Sequence, residues 1–176
     1  MSETEIRQEL WDRELIRDVL ARYCRAVDRL DEQLLRSTYF EDAFDDHGPF
    51  KGTREALIAW VIPFLRANYV TTSHHLTTQI IRIDGAAAYV ESYAIVVQDK
   101  ELDGRRLRST AQARYIDRME FRDGEWRIAR RLVISDSGST SEAPPWAGSS
   151  AGALGGGSAD RNDPSYSVLS ELAPIG

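Results

Sequence analysis

Three Asp-Gly pairs, at 84–85, 103–104 and 123–124, constrain this chain more than any other feature. Asp-Gly suits the left-handed backbone of a tight hairpin, so each pair marks a reversal between antiparallel strands. The stretches between the pairs are rich in Val, Ile, Tyr and Thr, which fit a pleated, half-buried surface. The spacing predicts four long consecutive antiparallel strands, at about 71–83, 86–101, 105–121 and 125–137.

The residues upstream follow a different period. Leu10, Trp11, Leu15, Val19, Tyr23, Val27 and Leu30 recur every three or four positions and make one apolar helical stripe. Ser2-Glu3-Thr4-Glu5 has the form of a capping box, and no Gly or Pro interrupts residues 5 to 40. A first helix is expected at about 5–30 and a second from Asp31, a good N-cap, to near Thr38. Asp45-Asp46-His47-Gly48-Pro49 reads as a turn. A third helix begins near Thr53, with Pro63 expected to kink or break it. Helices followed by a strand meander give an α+β architecture, one long curved sheet around a helical layer.

Beyond Asp136 the chain turns to Ser, Gly, Ala and Pro, a composition that cannot bury a core. We therefore expect a domain at 1–137 and a C-terminal arm at 138–176, whose Trp146, Tyr166, Val168 and Leu169 suit docking on a neighbouring surface. The whole is long enough, at 176 residues, for one domain with a proper core. A net charge of −6 argues against a nucleic-acid partner, which needs a basic stripe. A lone cysteine, Cys24, excludes a disulfide framework or thiolate metal cluster. No apolar run is long enough to span a membrane, and the acidic N-terminus lacks the form of a signal peptide, so the expected compartment is the cytoplasm.

The chemistry-bearing candidates gather at the start of the strand-rich half, in Thr71-Thr72-Ser73-His74-His75-Leu76-Thr77-Thr78-Gln79. Adjacent side chains on a strand point to opposite faces, and His75 shares its parity with Ile81 and Ile83. That parity selects His75 as the inward residue and a candidate general base, since imidazole titrates near operating pH. Asp28, just past the apolar stripe, could orient such an imidazole. Tyr23 carries a hydroxyl on the buried stripe. Arg114, Arg130 and Arg131 lie on the last two strands, where one could hold an anion, although parity does not choose among them. His47, His74, His75, Asp45 and Asp46 are metal-binding residue types without a recognisable ligand spacing, so no metal is expected. The chain also lacks a phosphate-binding Gly-rich loop and a Gly-x-Ser-x-Gly elbow.

Four stretches together resemble the SnoaL-like branch of the nuclear transport factor 2-like superfamily. They are Ile16 through Asp28, Tyr39-Phe40-Glu41-Asp42-Ala43, Ser73-His74-His75, and Asp123-Gly124-Glu125-Trp126-Arg127-Ile128. The resemblance implies a cone-shaped fold, with a curved antiparallel sheet around a long N-terminal helix and a deep apolar cavity. It covers roughly residues 5 to 137. Enzymes of this type include scytalone dehydratase, bile acid 7α-dehydratase and hexachlorocyclohexane dehydrochlorinase. By that likeness, Asp28 and His75 form the catalytic dyad, Tyr23 assists, and Arg131 binds substrate. Ile95 or Val96 stands near the place of a further acid in the bile acid enzyme, a departure from that pattern. The implied activity is a cofactor-free lyase, a dehydratase or related β-elimination, acting on a small cyclic or aromatic substrate. The implied assembly is a homo-oligomer, with a trimer favoured over a dimer. The competing expectations are a non-catalytic small subunit of a ring-hydroxylating dioxygenase and an apolar-ligand-binding module.

Overall fold

In a computed structural model, which describes residues 1–143 and 157–170, the chain runs through ten elements. They are α1 (Glu3–Asp28), α2 (Glu32–Thr38), β1 (Tyr39–Asp46), β2 (Lys51–Thr53), α3 (Arg54–Asn68), β3 (Thr71–Asp84), β4 (Ala87–Leu102), β5 (Arg105–Arg122), β6 (Glu125–Glu142) and α4 (Pro164–Ser170). The expected docking residue Trp146 lies outside the described residues, as do the side chains of Val168 and Leu169.

The capping box is present, with Ser2 and Glu5 each satisfying the other's backbone N–H. From there α1 buries Ile16, Val19, Leu20, Tyr23, Ala26 and Val27 against the sheet. Each large side chain buried in this way is worth about 1.5–3 kcal/mol relative to exposure. The stripe is shorter than the sequence implies, because Leu10 and Trp11 project beyond the core and are exposed. Polar ties fix the helix on the sheet: Arg13 Nη1 donates to the Ile81 carbonyl at 2.8 Å, and Trp126 Nε1 to Asp12 at 2.9 Å. The helix ends in a reverse turn. Leu30 adopts φ +50°, and the Asp31 N–H bonds back to the Ala26 carbonyl at 2.9 Å. Asp31 then caps α2 through Leu34 N at 3.0 Å. This sharp exit makes Asp28 the last residue of α1, at the edge of the core.

Helix α3 runs through Pro63 rather than breaking there. Leu57, Ile58, Val61, Ile62 and Leu65 are buried on both sides of the proline, and burial holds the helix together. Pro63 itself is on the exposed side. The carbonyl it leaves without a partner belongs to exposed Ala59 and can meet water.

Strands β3 to β6 form the expected antiparallel meander. Asp103-Gly104 and Asp123-Gly124 both occupy the two central turn positions at positive φ. At the first hairpin Asp84 ends β3, and the turn is Gly85-Ala86. The sheet is larger than the meander, with six strands in the order β2-β1-β6-β5-β4-β3. Strand β1 pairs with β6 in parallel, so the sheet is mixed. The last strand extends to Glu142, past the expected end at 137.

The chain between 157 and 170 lies against its own first two helices. Tyr166 donates to Asp31 at 2.9 Å, Arg25 Nη1 donates to Ser165 at 3.1 Å, and the Arg25 guanidinium stacks on the Tyr166 ring at 4.6 Å.

Candidate functional site

A cavity of about 220 Å³ opens between α1, α3 and the concave face of the sheet. Its wall is mostly apolar: Val27, Trp60, Val61, Phe64, Leu65, Val96, Ala111, Ala113, Tyr115 and Val133. Polar groups also reach it, among them those of Tyr23, His47, His74, Gln98 and Ser135. Trp60 anchors one side in an aromatic stack, 5.0 Å from Phe50 and 5.4 Å from Phe64 between centroids.

His74, not His75, faces this cavity. The reason is a β-bulge. Leu76 pairs with Ala94 and Gln79 with Ser92, so Thr77 and Thr78 together oppose Tyr93. The extra residue reverses the alternation. Before it, Thr72, His74 and Leu76 point inward; after it, Gln79, Ile81 and Ile83 do. Parity carried back from Ile81 therefore selects the wrong histidine. His75 is on the exposed face, with its Nε2 2.9 Å from the Ser73 hydroxyl.

Asp28 engages His74 twice. Its Oδ1 accepts from the ring Nδ1 at 2.6 Å, and its Oδ2 accepts from the His74 backbone N–H at 2.9 Å. Both side chains are about nine-tenths buried, at 13% and 10% exposure. A carboxylate on Nδ1 fixes the tautomer that leaves the Nε2 lone pair for the cavity.

Tyr23 lines the cavity and meets a second histidine, His47. The Tyr23 hydroxyl is 3.3 Å from His47 Nε2. His47 Nδ1 is hydrogen-bonded to Asp45 Oδ1, and Asp45 Oδ2 accepts from Tyr39 at 2.7 Å. Asp45 is completely buried. The pair sits two residues apart, so the strand and its extension carry both side chains to one face. That spacing was the available signal. Burial pushes the Tyr23 phenol well above its ordinary range, so this hydroxyl is held protonated.

Arg131 does not line the cavity, contrary to the expectation that it binds substrate. Its side chain is 0% exposed and makes a two-pronged ion pair with Asp117, at 2.7 Å in each prong. The guanidinium lies behind the cavity wall, 4.0 Å from the Tyr23 ring and 4.5 Å from the Tyr115 ring. Burial opposes the charge, but Asp117 overcomes it and raises the arginine pKa well above its ordinary value. Again a bulge sets the orientation. Met119 pairs with Ile128 but Arg118 with Arg130, so Ala129 is the extra residue that turns Arg131 inward. Arg114 is held by Asp136 and Glu91, and Arg130 is exposed. Among the described residues, no group of three or more His, Cys, Asp or Glu converges in a metal-binding arrangement.

The SnoaL-like domain family matches residues 8–132 of this sequence. The chain belongs to that family. With it comes membership of the nuclear transport factor 2-like superfamily, and the curved, unclosed sheet around a long N-terminal helix agrees. Solved structures with the SnoaL-like fold superpose well. A hexachlorocyclohexane dehydrochlorinase (LinA) type 2 gives a TM-score of 0.70 at 19% identity, covering 78% of this chain and 97% of the other. A scytalone dehydratase-like protein from Novosphingobium aromaticivorans gives 0.67 at 20% identity, covering 80% and 97%. A LinA-type3 dehydrochlorinase from Novosphingobium barchaimii gives 0.66 at 17% identity, covering 78% and 97%. At such identities the likeness concerns the SnoaL-like fold. No curated protein matches the chain in sequence.

Proposed function

We propose that this SnoaL-like protein is a cofactor-independent lyase that performs β-elimination on a small cyclic or aromatic substrate. The observation that carries this reading is the Asp28 carboxylate on His74 Nδ1, at 2.6 Å, with the other ring nitrogen left to an apolar cavity. His74 Nε2 removes a proton from a substrate carbon. The C–H electron pair becomes the new double bond as the β leaving group departs. Asp28 orients the ring and stabilises the imidazolium that forms. Tyr23 donates its hydroxyl proton toward the leaving group.

The size and lining of the cavity favour a single-ring or compact two-ring substrate, held against Trp60 and Phe64. The dehydrochlorinase and dehydratase names of the structural neighbours are consistent with elimination chemistry. We assign the catalytic unit to residues 1–137 with the remainder of β6, and an accessory arm to the residues beyond that strand, in a cytoplasmic homo-oligomer, with a trimer favoured. The apolar side chains exposed on the outer face of the sheet, Ile80, Tyr89, Tyr93 and Ile95, support self-association.

The test is a panel of hydroxylated and halogenated cyclic and aromatic compounds, assayed by mass for loss of water or hydrogen halide. Metal and nucleotide are omitted and a chelator is included. Elimination under those conditions supports the reading. Activity that appears only when metal or nucleotide is restored sinks it.

A further inference from the structure

The cavity has two histidine–aspartate pairs, and the elimination proposed above uses only one. His74 enters from β3 and His47 from the end of β1, at well-separated places in the sheet order, with β6, β5 and β4 between them. We propose that Asp45, His47 and Tyr23 form a proton-delivery chain for the leaving group, with His47 as the donor behind the tyrosine. This assignment rests on the lyase reading and adds to it the class of substrate: one that loses a hydroxyl, which must leave as water.

The groups are arranged in sequence, carboxylate, imidazole and phenol. Asp45 Oδ1 holds His47 Nδ1, and His47 Nε2 lies 3.3 Å from the Tyr23 hydroxyl. Both Tyr23 and His47 line the cavity. The Tyr39 hydroxyl occupies the other Asp45 oxygen at 2.7 Å and fixes the carboxylate. The turn after β1 is pinned by the His47 N–H on the Phe50 carbonyl at 2.8 Å, so the ring is presented by a closed backbone. Trp60 packs near the same ring, at 6.2 Å between centroids.

Charge supports the same direction. Two aspartates, Asp45 and Asp117, and one guanidinium, Arg131, are fully or almost fully buried here. Arg131 is committed to Asp117 by two hydrogen bonds. Asp45 is bonded instead to His47 Nδ1 and to the Tyr39 hydroxyl. The groups around His47 are thus Asp45 and Tyr39 from β1, Tyr23 from α1, Trp60 from α3, Asp117 from β5 and Arg131 from β6.

His74 Nε2 takes the carbon-bound proton, and the C–O bond breaks as the double bond forms. Tyr23 gives its proton to the departing oxygen and takes one from His47 Nε2 in the same event. Water leaves, His74 holds one extra proton, and His47 holds one fewer; exchange with solvent restores both. Burial makes a lasting Tyr23 phenolate unfavourable, so immediate replacement of its proton is what lets this tyrosine act.

The experiment compares matched pairs from the substrate panel, one skeleton carrying hydroxyl and the other chloride as leaving group. Chloride departs without a proton, so only the hydroxyl member needs the chain. In His47→Gln and in Tyr23→Phe, the ratio of hydroxyl to chloride elimination should fall about 100-fold or more. The double variant should fall no further than the worse single one. Because both rates come from one preparation, the ratio is independent of how much of the variant folds. The assignment is overturned if His47→Gln leaves the ratio within about fivefold of wild type, against the range expected for an acid catalyst. It is also overturned if wild type eliminates chloride alone. If wild type eliminates from neither member of any pair, the lyase reading itself fails and takes the chain with it.

Discussion

Asp28 holds His74 by both its backbone and its ring. One carboxylate oxygen accepts from the His74 N–H at 2.9 Å and the other from Nδ1 at 2.6 Å. The end of the first helix and the start of the third strand are thereby locked together, 46 residues apart in sequence. A helix-end carboxylate thus sets the strand's position and the imidazole's tautomer at once.

Asp28→Asn should therefore lose on two counts. Elimination should fall about 100-fold or more, because the ring loses its orienting anion. Stability should fall by about 1–3 kcal/mol, because a hydrogen-bonded partner of a buried N–H is weakened. Steady-state kinetics and urea denaturation read the two effects separately.

Arg131 predicts a loss of stability before any loss of binding. Arg131→Met leaves the Asp117 carboxylate fully buried and unpaired, which costs about 3–5 kcal/mol. Joint replacement, Arg131→Met with Asp117→Leu, should recover most of that loss in urea titrations. Recovery in the double variant separates a broken ion pair from a mere packing defect.

Three buried phenols set the alkaline limit. Burial is the largest cause of the raised pKa at Tyr23, Tyr39 and Tyr115. In the unfolded chain these groups ionise near pH 10, while in the folded chain they retain their protons to higher pH. The folded state then binds more protons, so stability is intact below about pH 10 and declines above it. Replacing Tyr115 by Phe should flatten that decline, which thermal melts between pH 8 and 11 will resolve.

The elements of the fold were legible because their signals are local. The capping box, the apolar stripe of α1, the Asp31 cap and the Asp-Gly turns each act over a few residues, and each is present, with the first hairpin shifted by one residue to Gly85-Ala86. The facing of individual side chains was less legible, because it depends on bulges. The extra residue among Thr77 and Thr78 turned the parity argument from His74 to His75, and the one at Ala129 left Arg131 ambiguous. A bulge is a property of the pairing between two strands, and neither strand alone announces it. Pro63 misled for a related reason: propensity marks a break, and tertiary burial of the flanking turns overrides it. Asp45 and His47 read only as a turn and as metal-binding residue types, because their pairing with Tyr39 and Tyr23 comes from other parts of the chain.

The proposed elimination depends on His74 as its base. The most direct measurement compares elimination rates of wild type, His74→Gln and His75→Gln on the best substrate of the panel, with chelator present. A fall of about 100- to 10,000-fold is expected for His74→Gln and a change within about threefold for His75→Gln. A large loss confined to His75→Gln, or near-normal rates in both variants, would contradict it.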